Sequence, residues 1–492
     1  MDATIPDPHR ETPEAPRPAG QQLGRVEAHG IDVIPDSERH GRARELFAVW
    51  AAPNVSYLNL VVGGTLVLIG LTLWQALAVI VVGNLFWALV GLIAVSGPAS
   101  GTPSEIVMRA MYGVRGNRAN ILLTGWFVSV CYLALSWAAG SLAAFDLLDR
   151  AGVPVGTPVK VVVIVAVAAA TLAISVYGHA TIVKLYLPFT LALTAVFLVL
   201  SGYVLADADW NHRPAQAMHG GGLVAALAGG LVLIASAPLS YTNSSDFSRY
   251  LPRDTRPGAV AGWTALGAFV PSVLFTAVGA IAGTALDMSD PQSALEKILP
   301  GWFVPAFLLA IVLSAVCNNA MTAYSSGLAL QAVGIRIRRS RSVALDGTLG
   351  VALTLYALLV SNFLDTVSSV LELMVALMGP STAVYATDVL LRRNRYDGVE
   401  LSDERRGGPF WYRGGVNPAG AVALLAASGC AFLCVSTPSF TGPVARALDG
   451  TDLSLPVGMV LAAALYSGLT FRQNRGRNRD RNQKAAHSLS GV

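Results

Sequence analysis

The chain has 492 residues, 53% of them hydrophobic and 13% charged, with a mean hydropathy of +0.55. These totals exclude a soluble globular protein of this length and point to an all-α integral membrane protein. The net charge of +4 is accounted for by membrane topology and not by nucleic-acid binding.

Residues 1–45 are rich in proline and charge and lack an apolar stretch of signal-peptide kind, so they are expected to form a disordered cytoplasmic arm. About twelve spans of membrane length follow, over 46–70, 74–96, 119–148, 159–178, 182–205, 221–242, 258–285, 301–333, 343–363, 366–391, 417–437 and 453–471. Together, residues 46–471 make one transporter domain. Residues 472–492, with "RQNRGRNRDRNQK", read as a basic cytoplasmic tail. Of 34 lysines and arginines, about 29 fall on one side of this arrangement, while Arg150, Lys160, Arg213, Lys297 and Arg446 fall on the other. The positive-inside rule therefore puts both termini in the cytoplasm of a multi-pass plasma-membrane protein. Cys131, Cys317, Cys430 and Cys434 all lie within spans, which excludes an extracellular disulfide framework and a zinc site.

The first span contains "AAPNVSYLN" and the sixth "SAPLSYTN". Proline inside a membrane helix removes one amide donor and frees a carbonyl, which only protein or a watered cavity can satisfy. Such interruptions at corresponding places in two halves mark the midplane substrate site of repeat-built secondary transporters; a plain proline kink is the simpler alternative. In the eighth span, "LSAVCNNAMTAYSSGL" sets Asn318 and Asn319 side by side, suited either to the amide-like edge of a heterocycle or to interhelical hydrogen bonding. Trp126 of "GWF" lies inside the third span, where it faces a cavity or packs the core. Glu372 is a carboxylate deep in the tenth span, a proton carrier or a partner for a nearby polar group.

Four segments in order carry a resemblance. They are "GTPSEIVMRAMYGVRGN" after the second span, "SSDFSRYLPR" after the sixth, and "GPSTAVYATDVLLRRNRYDG" then "WYRGGVNPAG" after the tenth. From about Phe47 to Tyr466 the chain resembles the nucleobase:cation symporter family, in its purine/cytosine permease branch. The resemblance implies a leucine-transporter-like fold, a five-plus-five inverted repeat with two further C-terminal helices. It also implies substrate-binding roles for Trp126 and Asn319, with Asn318, Tyr241, Ser56 and Ala237 near the ligand. In helix six Tyr241 and Ala237 compete for the place of the covering aromatic.

The family's sodium site maps onto the carbonyls of Ala52 and Val55 and onto Ser314, Cys317 and Asn318. Thiol sulfur suits a hard cation poorly, so this set favours a proton over sodium as coupling ion, with Glu372 the carrier. The expectation is a symporter of cytosine, purines or a related neutral heterocycle, using no cofactor. Its alternatives are a sodium-coupled permease for allantoin, hydantoins, uracil, thiamine or pyridoxine, and an amino-acid transporter of the same fold. An embedded enzyme would need clustered catalytic groups, and none is visible.

Overall fold

The structure is a computed structural model describing residues 27 and 29–489, apart from 215–217, 336, 338, 360–362 and 438–439; at 339–340, 363–372 and 476–489 it describes the backbone alone. Among the described residues, ten helices are long and apolar enough to cross a membrane, beginning with Leu73–Ser100 and ending with Ser454–Arg475. A bent pair, Glu45–Asn54 and Tyr57–Leu68, makes the first span, its halves inclined by 55°. The 17-residue apolar helix Pro418–Cys434 occupies the eleventh position, at the short end of what a bilayer crossing requires.

Packing follows the repeat. The first span lies against the fifth and seventh, and correspondingly the sixth lies against the tenth and second. The third packs on the ninth while the eighth packs on the fourth, and the third and eighth pack on each other. Exchanging spans one to five with spans six to ten thus maps these pairings onto themselves, as a five-plus-five repeat requires. The eleventh and twelfth spans pack together and against the tenth, outside the repeat.

Closest approach between the first and seventh spans is set by two glycines. A methyl group on Gly63 would collide with the Thr276 carbonyl, and one on Gly279 with the Leu60 carbonyl. Small residues at such a crossing let backbones meet and gain dispersion contact that lipid cannot supply. Overpacking of this kind costs about 1–3 kcal/mol. Gly63→Ala and Gly279→Ala are therefore each expected to lower the melting temperature of the detergent-purified protein, whereas Gly468→Ala, which meets open space, should not.

The fourth and fifth spans, Thr157–Tyr177 and His179–Asp207, are joined by Gly178 alone. Its φ of 80° is left-handed, and a side chain there would also strike Glu27.

The segment expected to be a disordered arm is described from Glu27 onward, and there it is docked. Ile34 is fully buried and its amide donates to the Gly101 carbonyl at 2.8 Å, Arg39 Nη1 donates to the Pro98 carbonyl at 2.8 Å, and the His40 amide donates to the Tyr250 carbonyl at 2.7 Å. Composition alone reads such a stretch as solvated; these bonds go to backbone groups left open where the second and sixth spans end.

Candidate functional site

In the first span, Pro53 lies at the end of Glu45–Asn54, and the chain leaves the helix at Val55 and Ser56. Ser56 caps the second half, its hydroxyl accepting from the Leu58 amide at 3.2 Å, and Asn59 Nδ2 reaches back to the Asn54 carbonyl at 2.7 Å. Side chains thus replace the helical bonds that the break removes. The sixth span breaks later than its proline. Pro238 falls inside the helix Gly220–Ser240, and the turn over residues 241–244 separates it from the short helix Ser245–Ser248.

Between the two breaks lies a cavity of about 70 Å³. Pro53, Asn54, Ser56 and Asn59 line it from the first span, Ser236, Ala237, Ser240 and Tyr241 from the sixth, Tyr132 from the third and Asn318 from the eighth. It has room for a few water molecules and not for a purine ring, so a ligand enters only as the helices part. Tyr241 donates its hydroxyl to Asn318 Oδ1 at 3.0 Å, and Asn318 Nδ2 donates to Ser136 Oγ at 3.2 Å. One amide therefore ties the third, sixth and eighth spans together across the cavity. Behind Tyr241 sit Trp50 and Trp87, with ring centroids 5.3 and 5.5 Å away, which fix the phenol ring in place.

Of the residues singled out in the sequence, the structure brings Ser56, Ala237, Tyr241 and Asn318 to this cavity. Asn319 is turned away: it is fully buried, and its Nδ2 donates to the Leu133 carbonyl of the third span at 2.8 Å. Successive helical residues point about 100° apart, so only one of the paired asparagines can face the cavity. Trp126 is also outside the cavity. It lies in a π-helical turn, Leu122–Phe127, and its indole N–H donates to Asp346 Oδ1 of the ninth span at 2.5 Å. Asp346, fully buried, is a carboxylate the sequence reading passed over because it stands near the start of an expected span, where charges are ordinary. Ala52 and Val55 are buried at the first break. The Cys317 carbonyl accepts a 2.5 Å hydrogen bond from Tyr186, and the Ser314 hydroxyl donates to the Ile311 carbonyl. Glu372 is on the helix Phe363–Arg392, with its side chain outside the described residues.

Residues 33–458 match the family described as permeases for cytosine/purines, uracil, thiamine and allantoin. The chain belongs to the nucleobase:cation symporter family. Among curated relatives, the "Putative purine-cytosine permease YxlA" of Bacillus subtilis (strain 168) is 26% identical over 457 residues, 90% of this chain and 95% of the relative. The allantoin permease of the same organism is 30% identical over 131 residues, 26% of each chain. The fold is that of Mhp1, a nucleobase-cation-symport-1 family transporter solved closed with bromovinylhydantoin bound. It superposes with a TM-score of 0.72 at 16% identity, over 90% of this chain and 94% of Mhp1. The inward-facing form of Mhp1 gives 0.69 at 17% identity, over 92% and 96%.

Within this symporter, the four segments that carry the family resemblance converge away from the cavity, at the end of the bundle where the arm docks. Asn417 of "WYRGGVNPAG" donates its amide to the Tyr112 carbonyl at 2.8 Å, and Tyr412 donates its hydroxyl to the Ala110 carbonyl at 2.7 Å. Asp388 accepts from Arg392, Tyr396 and Tyr466 at 2.7–2.9 Å. Asp246 of "SSDFSRYLPR" accepts from the Ser104 amide at 2.9 Å and from the Ser325 hydroxyl at 2.7 Å. Arg249 is wholly buried, giving Nη1 to the Gly30 carbonyl at 2.7 Å and Nη2 to the Tyr324 hydroxyl at 3.0 Å and to Glu27 Oε1 at 3.3 Å. Glu27 also accepts from Tyr250, Tyr324 and the His179 amide. The arm thus supplies the anion for a buried cation of the sixth-span segment, a role that no local motif announces.

Proposed function

We propose that this permease imports a flat, uncharged, nucleobase-like heterocycle by cation symport, with the proton as coupling ion and with both termini and the docked arm on the cytoplasmic side. The observation that carries this is the cavity lining: amide, hydroxyl and aromatic groups meet at two broken helices, and no charged side chain lines it among the described residues. An amino-acid substrate would need charge complements there. A neutral ring needs a face to stack on, which Tyr241 offers, and hydrogen bonds at its edge, which Asn318 and Ser56 offer. On this account Asn319 shapes the third–eighth interface and Trp126 the third–ninth interface, both beside the site.

Proton coupling is supported by the state of the groups at the sodium positions. The Cys317 carbonyl is engaged by Tyr186, and the thiol is a soft donor. Glu372 is a proton-carrying residue by its depth in the tenth span.

The test is uptake of labelled cytosine, adenine, hypoxanthine, uracil and allantoin in a strain lacking its own permeases, at several pH values with and without sodium. At least one of these compounds is expected to be concentrated, faster at lower external pH and indifferent to sodium. If none is transported or competes, the heterocycle assignment fails; sodium-dependent uptake with a flat pH profile overturns the proton assignment.

A further inference from the structure

Beneath the docked arm, two carboxyl groups are buried next to each other. Glu105, from the short helix Ser104–Val107, is 3% exposed, and Asp246, from Ser245–Ser248, is wholly buried. Asp246 Oδ1 accepts from the amide of Ser104, the residue next to Glu105, and this holds the two side chains beside each other. Their surroundings treat them differently. Both Asp246 oxygens accept bonds, from the Ser104 amide and the Ser325 hydroxyl, whereas among the described residues no N–H or O–H reaches Glu105 Oε2. An ionised Glu105 would hold a desolvated charge against a second carboxylate with an oxygen left unpaired, the costliest arrangement available to it.

Among the described residues, the charges around the pair give no counter-ion beyond Arg249. Arg249, at the end of the sixth-span segment, acts on both carboxyls, but its Nη2 is committed to Glu27 of the arm. Tyr324 from the eighth span bonds Arg249, and Tyr385 from the tenth bonds Ser96 at 2.9 Å and feels Asp246. Both are neutral phenols. Burial beside Asp246 holds the Glu105 carboxyl well above the usual carboxylate range.

We infer that Glu105 and Asp246 form a proton-binding site that latches the cytoplasmic end of the closed transporter, Glu105 donating its O–H to the Asp246 carboxylate. Opening this end separates the sixth-span segment from the eighth span and admits water. The Glu105 O–H bond then breaks, its electron pair stays on the carboxylate, and the proton passes to cytoplasmic water. The site is separate from the coupling carrier: it governs how readily the inner end opens.

Linkage fixes the sign. The closed form binds one more proton than the open form between the ordinary carboxylate range and the raised value for Glu105. In that window the opening equilibrium increases with pH, by up to about tenfold per pH unit. Below it both forms are protonated, above it neither is, and the dependence vanishes.

The inference rests on the assignment of this end to the cytoplasm only for its direction, and the test separates the two. Purified wild-type protein and the Glu105→Gln and Asp246→Asn variants are titrated by difference infrared spectroscopy, following the carbonyl stretch of protonated carboxyl groups. Heterocycle exchange is measured in proteoliposomes with the same pH on both sides. A carboxyl band in the wild type that persists above the ordinary carboxylate range and is absent from Glu105→Gln is expected. The ratio of variant to wild-type exchange should also change by up to tenfold per pH unit in the window. An unchanged band in Glu105→Gln, or no such band in the wild type, overturns the site even if a variant folds poorly; so do parallel exchange profiles. If neither protein exchanges a heterocycle, the proposed function fails while the infrared band still decides the latch.

Discussion

Glu27→Ala is expected to destabilise the closed transporter by about 3–5 kcal/mol, the usual cost of removing one partner from a buried ion pair. Arg249 has no exposed surface, and Glu27 is the carboxylate that meets its guanidinium while also accepting from Tyr250, Tyr324 and the His179 amide. Truncation leaves a charge and two phenolic hydroxyls short of an acceptor within a closed end of the bundle. A lower melting temperature in detergent measures the loss. Adding Arg249→Met should restore much of it, because the stranded charge is then gone, and the double-mutant cycle isolates the pair. A Glu27→Ala protein that melts with the wild type would show that the arm is not part of the seal.

Asn318→Ala should weaken transport more than any other single asparagine substitution. Its amide bonds Tyr241 and Ser136, so the substitution unpairs both hydroxyls and frees the Tyr241 ring that Trp50 and Trp87 hold from behind. If stacking on that ring contributes about 1–3 kcal/mol, losing its alignment raises the KM of uptake by about 5- to 150-fold. Asn319→Ala removes a bond to the Leu133 carbonyl instead, and is expected to lower thermal stability with a smaller change in KM. Inhibition constants from competition uptake, beside melting temperatures, distinguish the two. The reverse pattern would put Asn319 at the ligand.

The order and length of the spans were legible in the sequence because a bilayer demands about 20 apolar residues at a time and tolerates little else. The repeat was legible through Pro53 and Pro238, although the breaks fall one to three residues beyond them, where Ser56 caps one helix and a turn at Tyr241 ends the other. Which of two adjacent asparagines faces the cavity depends on helix phase, and the π-helical turn at Leu122–Phe127 shifts that phase for Trp126. Neither is readable from residue types. Glu27 was hidden for another reason: its value comes from Arg249, 222 residues away, so the arm's own composition carries no trace of it.

The gathering of the four recognisable segments around Asp246, Arg249, Asp388 and Asn417 has a consequence for how this lineage diversifies. Those residues bond across one end of the helix bundle, while the groups proposed to meet the ring line the cavity, on the sixth-span stretch from Ser236 to Tyr241 and at Asn318. Cargo can therefore drift by a few exchanges among small, hydroxyl and aromatic residues there, with the hallmark segments untouched. Two members with matching hallmarks can then be transporters of different compounds, and a panel of chimaeras exchanging only residues 236–241 would carry preference from one parent to the other.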